Sequence, residues 1–417
     1  MAYSPTTTNA TFEYDKNNQL EVAVLSITKT ADGSLPIDII SIYENILIYE
    51  DMFQGAISAR LIIRDQSSLI SSLPIVGGEK IKIKYKTASY AQYVELDFVV
   101  YKVGQPEIAN GPENITVSQL FLCSPEVFWA ANNDISKGYE GSYADIITAL
   151  IRESGTTKSI TVGDSAANGL NTFVCPMWNI FTAIKWCASR ANPASLSPMF
   201  FWETSSGYVF KSLDDIYNST PYKKIYIQDR NQAVNMTSDQ VFNTCYRYEV
   251  MESNDKLKQF SDFAFGNSTY VLDLTNKQIS KVDHSYVKDV FNTQKIHLDS
   301  FPVSDDAVSF RNKSDFILMK TDHSEISDFT SKSTISLMDN TRLMVQVPGD
   351  SNMCAGDILN VDIPIKVGLS IGKNLYTSGK FLVRSIKHSL QKATYVQTLE
   401  LSKDSFATAL TAASTAL

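Results

Sequence analysis

Four histidines, His284, His297, His323 and His388, are the side chains of this chain best placed by type to move protons or bind a metal near neutral pH. None lies in H-E-x-x-H or forms an i,i+4 pair, and no Cys/His spacing fits zinc. The five cysteines, Cys123, Cys175, Cys187, Cys245 and Cys354, are odd in number and widely spaced, without C-x-x-C, so they read as buried free thiols. Two acid pairs, Asp214-Asp215 and Asp305-Asp306, could supply carboxylates. Glycosidase acids come from separate elements, however, and neighbours on a strand point to opposite faces. Asp214-Asp215 is better suited to capping a helix or turn. Gly163-Asp164-Ser165 and Gly349-Asp350-Ser351 read as turns, and neither a G-x-S-x-G elbow nor a G-x-x-x-x-G-K-[ST] loop is present. The sequence therefore assigns no catalytic residue, no cofactor-binding residue and no metal ligand.

Two clusters need their elements to be understood. His388 lies in SGKFLVRSIKHSLQKATYVQTLELSKDS, Ser378 to Ser405, near the end of one strand that turns through Gln391-Lys392-Ala393-Thr394 into another. It is expected on a sheet face, its polar tip meeting water or a cross-strand partner. Lys80, Lys82, Lys84 and Lys86 alternate with Ile81, Ile83 and Tyr85, the pattern of a half-buried strand with one wet face. Such a row can bind phosphate, and more commonly keeps a sheet surface wet or guards an edge.

The alternation of Ile57, Ala59, Leu61 and Ile63 with Ser58, Arg60 and Arg64 predicts a strand, followed by strands through Val94–Val100 and Ile115–Leu122. Residues 1–124 are expected to form an antiparallel barrel or sandwich. Ser142 stands three residues before Asp145, a capping-box spacing ahead of the stripe Ile146, Ile147, Leu150 and Ile151. A second helix is expected from about Trp178 to Arg190, then two aromatic strands around Ser205-Ser206-Gly207, so residues 125–222 read as a small α/β or α+β domain. Strand text returns at 223–250 and 341–403. Residues 251–340 are weakly periodic, with a helix near 325–338, and 404–417 form an Ala/Thr-rich tail.

An internal echo links the two strand-rich parts. Gly78-Glu79-Lys80-Ile81-Lys82-Ile83-Lys84-Tyr85 and Gly356-Asp357-Ile358-Leu359-Asn360-Val361-Asp362-Ile363 both read glycine, acid, then apolar residues three, five and seven places on. Phe98, Val100 and Val103 have the spacing of Phe381, Val383 and Ile386, and Leu120-x-Leu122 that of Leu399-x-Leu401. The expected fold is mainly β with α+β insertions: two similar antiparallel β-barrel domains plus a smaller helix-containing domain.

With Lys+Arg 37 against Asp+Glu 45 the net charge is −8, which argues against a surface built to neutralise nucleic-acid phosphates. The first residues show no signal peptide, and no apolar run is long enough to span a membrane, so a soluble protein made in a cytoplasm is expected. Abundant aromatics, Tyr 20 and Phe 21, are not interleaved with basic clusters and point to large cores and protein interfaces.

Five segments, ISARLIIRDQSSLISSLPIVGGEKIKIKY, FFWETSSGYVFKSLDDI, VPGDSNMCAGDILNVDIP, SGKFLVRSIKHS and YVQTLELSKDS, together resemble the central baseplate hub proteins of contractile-tailed, T-even-like bacteriophages, related to the type VI secretion spike core. The resemblance implies a homotrimer with two barrels per chain, forming a pseudo-sixfold ring in the virion tail baseplate. It implies tail tube or tube-initiator proteins on one side, the central spike on the other, wedge proteins around it, transient passage of DNA, no membrane insertion and no catalysis. Two other functions are compatible with the composition: a tail-associated cell-wall hydrolase using unrecognised acids, and a carbohydrate-binding receptor protein.

Overall fold

The computed structural model describes residues 19–29, 35–65, 75–104, 107–109, 115–164, 169–191, 195–227, 242–253, 255–262, 264–290, 293–297, 315–319, 325–367, 370–374 and 377–407. Asp305-Asp306 and His323 lie outside them. The first part of the chain is all strand: β1 (Leu20–Thr28), β2 (Ile37–Asp38), β3 (Tyr43–Asp51), β4 (Ser58–Asp65), β5 (Lys80–Thr87), β6 (Val94–Val103), β7 (Glu107–Ala109) and β8 (Ile115–Cys123). Ile81, Ile83 and Tyr85 of β5 are buried while the alternating lysines face outward, as period-two patterning requires.

Next come α1 (Pro125–Ala130), β9 (Asp134–Gly141), α2 (Tyr143–Arg152), β10 (Ile160–Val162), β11 (Asn171–Asn179), α3 (Ile180–Arg190), β12 (Met199–Thr204), β13 (Gly207–Ser212) and α4 (Leu213–Tyr217). The Ser142 hydroxyl accepts from the Asp145 N–H and the Asp145 carboxylate accepts from Ser142 N–H, so the capping box forms. A second box, Ser212 with Asp215, starts α4 and gives Asp215 its capping role. Helix α3 begins at Ile180 rather than Trp178, because Trp178 and Asn179 still pair with β9 and the Asn179 side chain caps the helix. Both long helices bury their apolar stripes, including Leu150 and Ile184, against Phe173, Tyr208 and Phe210.

The last part holds β14 (Lys223–Tyr226), β15 (Arg247–Ser253), α5 (Lys256–Ser261), β16 (Gly266–Asp273), β17 (Gln278–Ser285), a π-helical turn (Tyr286–Val290), β18 (Asp315–Met319), α6 (Glu325–Met338), β19 (Thr341–Pro348), β20 (Ile358–Asp362), β21 (Pro364–Val367), β22 (Ser370–Lys373), β23 (Gly379–Gln391) and β24 (Thr394–Lys403). Strands β16, β17 and β18 form a separate small sheet, where sequence periodicity predicts no elements; most of β17 is exposed, so it carries little alternation to read.

Strands of the first and last parts join in one 14-stranded sheet. Within it β3, β4, β8, β6 and β5 are successive antiparallel neighbours, and β15, β19, β24, β23 and β20 repeat that order, element for element along the chain. The register repeats too. Ile81 faces Phe98 as Leu359 faces Phe381, and Val100 faces Leu122 as Val383 faces Leu401. Leu61 faces Leu120 as Val345 faces Leu399. Both long strands bulge at the same place, between Val100 and Lys102 and between Val383 and Ser385.

The glycine turns match to single hydrogen bonds. Gly78 N–H donates to Val100 O (2.7 Å) and Gly356 N–H to Val383 O (2.8 Å). Val100 N–H returns to Glu79 O (2.9 Å) and Val383 N–H to Asp357 O (2.8 Å). Each acid also accepts a backbone N–H from three residues upstream, Val76 to Glu79 and Cys354 to Asp357. Both glycines have positive φ, 90° and 97°, which side chains disfavour.

The two parts are not side by side but interlocked. Residues up to Leu382 of β23 pair with β20, and past the Arg384 bulge Ser385–Gln391 pair with β3. The β23–β24 hairpin thus forms an arm whose Leu390 and Tyr395 complete the core around Leu61, Ile83 and Phe98.

Candidate functional site

Where the arm crosses, polar side chains are buried together. His388 faces Ile48 of β3 on one side and Gln397 of β24 on the other, and it is fully buried rather than wet-tipped, because β3 covers the edge that the sequence leaves open. Its cross-strand partner is as expected. The His388 Nδ1 lies 2.7 Å from the Tyr395 hydroxyl and 3.2 Å from Gln397 Nε2. Its Nε2 is 3.7 Å from Glu50 Oε1, beyond hydrogen-bond reach. Glu50 accepts backbone N–H bonds from Ser205 (3.0 Å) and Ala355 (3.1 Å), so one carboxyl of β3 touches three distant segments. Burial pushes its pKa up to about 8, against the pull of those two donors. Burial also pushes His388 down to about 3, Asp350 opposing. Burial favours the neutral form of both groups, and neither is open to a substrate.

The turn Gly349-Asp350-Ser351 docks on β5. Thr87 donates from Oγ1 to Gly349 O (2.9 Å) and accepts from Ser351 N–H (3.0 Å). Gln397 donates to Asp350 O (2.8 Å) and accepts from Asp350 N–H (3.0 Å). Asp350 also accepts from Lys223 (2.9 Å).

A second buried centre fixes the α/β part. Lys158 Nζ lies 2.8 Å from Glu126 and 2.6 Å from Glu203, both acids being almost fully buried. Glu203 Oε2 accepts from Ile57 N–H (2.9 Å) and Ser124 Oγ (2.5 Å). Burial raises Glu203 despite the lysine; for Glu126 burial is the largest single influence, but the charge and hydrogen bond of Lys158 together with bonds from Thr156 and its own backbone outweigh it and hold the pKa low. Glu203, Lys158 and Ser124 border a cavity of about 200 Å³ with Glu95, Leu96, Asp97 and Phe98. The Glu203 oxygens there are committed to Lys158, Ser124 and the Ile57 N–H. Sequence reasoning missed Glu50, Glu126 and Glu203, since an acid in a strand or helix start carries no mark of burial.

His284 and His297 are each held by protein contacts. His284 stacks on Phe329 (5.3 Å) beside Asp289, and His297 Nε2 accepts from Lys380 N–H (3.1 Å). Burial first, then Lys403, lowers His297 to about 4. Cys123, Cys175, Cys187 and Cys245 are buried free thiols, and Cys354 is partly exposed beside Ser205. Among the described residues no cluster of three or more His, Cys, Asp or Glu could hold a metal. No helix among them is long and apolar enough to cross a membrane. Three of the four lysines of the row are paired: Lys82 and Lys84 reach Glu95, and Lys86 reaches Glu21.

No protein-family model matches the chain. It is 21% identical over 392 residues to the "Probable baseplate hub protein gp334" of Vibrio phage KVP40, covering 86% of this chain and 89% of that one. The chain is thus similar in sequence to a phage baseplate hub protein. It shares its fold with the tail protein from Neisseria meningitidis MC58, at a TM-score of 0.56 and 12% identity over 91% of this chain and 96% of that one. The 43 kDa tail protein of prophage MuSo2 from Shewanella oneidensis gives 0.55 and 9% identity over 91% and 98%. At 91% coverage the shared fold takes in both the large sheet and the α/β part.

Proposed function

We propose that the chain is a structural baseplate hub subunit of a contractile phage tail. Three copies form a pseudo-sixfold ring that joins the tail tube, or its initiator, to the central spike and lines the DNA passage within the surrounding wedge proteins. On this reading residues 1–124, and 223–250 with 341–403, are the two tube-like units; 125–222 is a side domain, 251–340 an insertion and 404–417 a tail. Assembly into the virion takes place in the host cytoplasm.

The observation that carries the proposal is the repeated five-strand order with its matched register and matched glycine turns. Identical contacts need equivalent surfaces, and two equivalents per chain are what a threefold body requires to meet a sixfold tube. An enzymatic role has no support from the buried acids, which are spent on backbone donors and on Lys158. Light scattering of the full chain, alone and mixed with its tube and spike proteins, tests the proposal. A trimer that joins both is expected; a monomer at all concentrations that joins neither overturns it.

A further inference from the structure

The 14-stranded sheet ends at β15, which pairs with β19 on one side and with no described strand on the other. One face of this strand exposes Tyr248 and Val250, while the other carries the exposed Arg247 and Glu249. Tyr248 is 44% exposed and Val250 52% exposed. Their register equivalents in β3 are Ile46 and Ile48, since Ile46 faces Leu61 and Ile48 faces Ala59 as Tyr248 faces Val345 and Val250 faces Leu343. Both isoleucines are 0% exposed. The difference is the arm: Leu390 and His388 of β23 pair with Ile46 and Ile48 and seal that edge.

The first part of the chain carries the equivalent arm. Lys102 faces Phe121 and Val103 faces Leu120, as Ser385 faces Glu400 and Ile386 faces Leu399. Strand β7 continues it, Ala109 facing Ile115 as Gln391 faces Thr394. The outer sides of Tyr101–Val103 and of β7 pair with no described strand, and Tyr101 and Val103 are exposed. Six strands of the sheet path separate it from its own β15. The chain thus presents one uncovered acceptor edge and one unused arm, complementary by the pattern of its internal contact. An open edge with one apolar face invites strand addition.

We propose that the β6–β7 arm of one copy adds to the β15 edge of the next, antiparallel, repeating between subunits the contact that β23 makes with β3 within the chain. Such a head-to-tail contact closes into a ring when the rotation permits. The inference rests on the ring proposed above and names the surfaces that mate. By the internal register, Val103 lies opposite Ser253 of the next copy, as Ile386 lies opposite Glu50.

The test uses the full chain with Val103→Cys and Ser253→Cys together, each single substitution serving as control. Directly opposed residues lie about 4.5–5.5 Å apart at Cα, within disulfide range. Oxidation is expected to give a covalent trimer on a non-reducing gel, dissolved by reductant and absent from both single variants. Separately, Tyr248→Lys with Val250→Lys is expected to raise the concentration for half-assembly at least tenfold while leaving the circular dichroism spectrum of the folded chain unchanged. A trimer that resists the lysines and gives no specific cross-link overturns this edge pairing and leaves the hub reading standing. A chain that stays monomeric throughout and binds neither tube nor spike protein overturns both.

Discussion

Gly349 packs against the ring of Tyr395, and its N–H donates to the Tyr395 carbonyl at 2.9 Å. A Cβ at 349 would overlap that ring, which is fully buried in the arm and hydrogen-bonded to His388, so it has no room to retreat. Gly349→Ala is expected to cost about 1–3 kcal/mol by overpacking. Gly138→Ala, where an added Cβ meets nothing within 4 Å, is the control. Urea unfolding of both variants checks this, and equal midpoints would refute the close contact.

The Glu50–His388 pair gives stability a pH dependence of opposite sign on its two sides. Glu50 is raised from 4.5 to about 8, so the unfolded chain releases the proton first, and stability present below pH 4.5 is lost as pH rises towards 8. His388 is lowered from 6.5 to about 3, so its contribution is full above pH 6.5 and is lost as pH falls towards 3. Each slope is at most about 1.4 kcal/mol per pH unit. Glu50→Gln should remove the alkaline fall and His388→Phe the acid fall, read from unfolding free energies at pH 3 to 9. Parallel curves for wild type and variants would contradict the assignment.

Lys158 bridges two buried acids at once. Lys158→Met should therefore destabilise by about 3–5 kcal/mol, the range for leaving buried charge uncompensated. Adding Glu126→Gln and Glu203→Gln should restore part of that loss. Thermal melts decide it, and a triple variant no better than the single one would show that the ion pairs are not what the lysine contributes.

Lys82, Lys84 and Lys86 of β5 are tied to Glu95 and Glu21, which makes the face poor at holding phosphate. Glu95 is held below the usual carboxylate range, first by its bond from Lys84 and then by Lys82. Duplex DNA should bind the protein more weakly than about 10⁻⁴ M at physiological salt, the weak end of non-specific binding. Glu95→Gln should strengthen it. Fluorescence anisotropy of a labelled duplex measures both, and micromolar binding by the wild type would exclude a slippery wall.

Much of the sheet was legible because alternation, glycine and acid are local signals. Gly78-Glu79 and Gly356-Asp357 announced the same turn twice, and the spacing of Phe98 and Val100 with Phe381 and Val383 carried even the site of the bulge. The arm was not legible, because a strand alternates in the same way whether it serves one wall or two. For that reason His388 looked half exposed, although Ile48, 340 positions away in sequence, covers it. The small sheet of β16–β18 escaped for a different reason: β17 is exposed on both faces over most of its length, which leaves no period to detect.

Strand β23 belongs to both repeats, passing from β20 to β3 across the Arg384 bulge. There is consequently no seam along which one repeat can slide past the other. Any rocking of the subunit has to bend a continuous ribbon of backbone, and a pull on one repeat reaches its twin as tension carried by peptide hydrogen bonds rather than as slip between packed side chains.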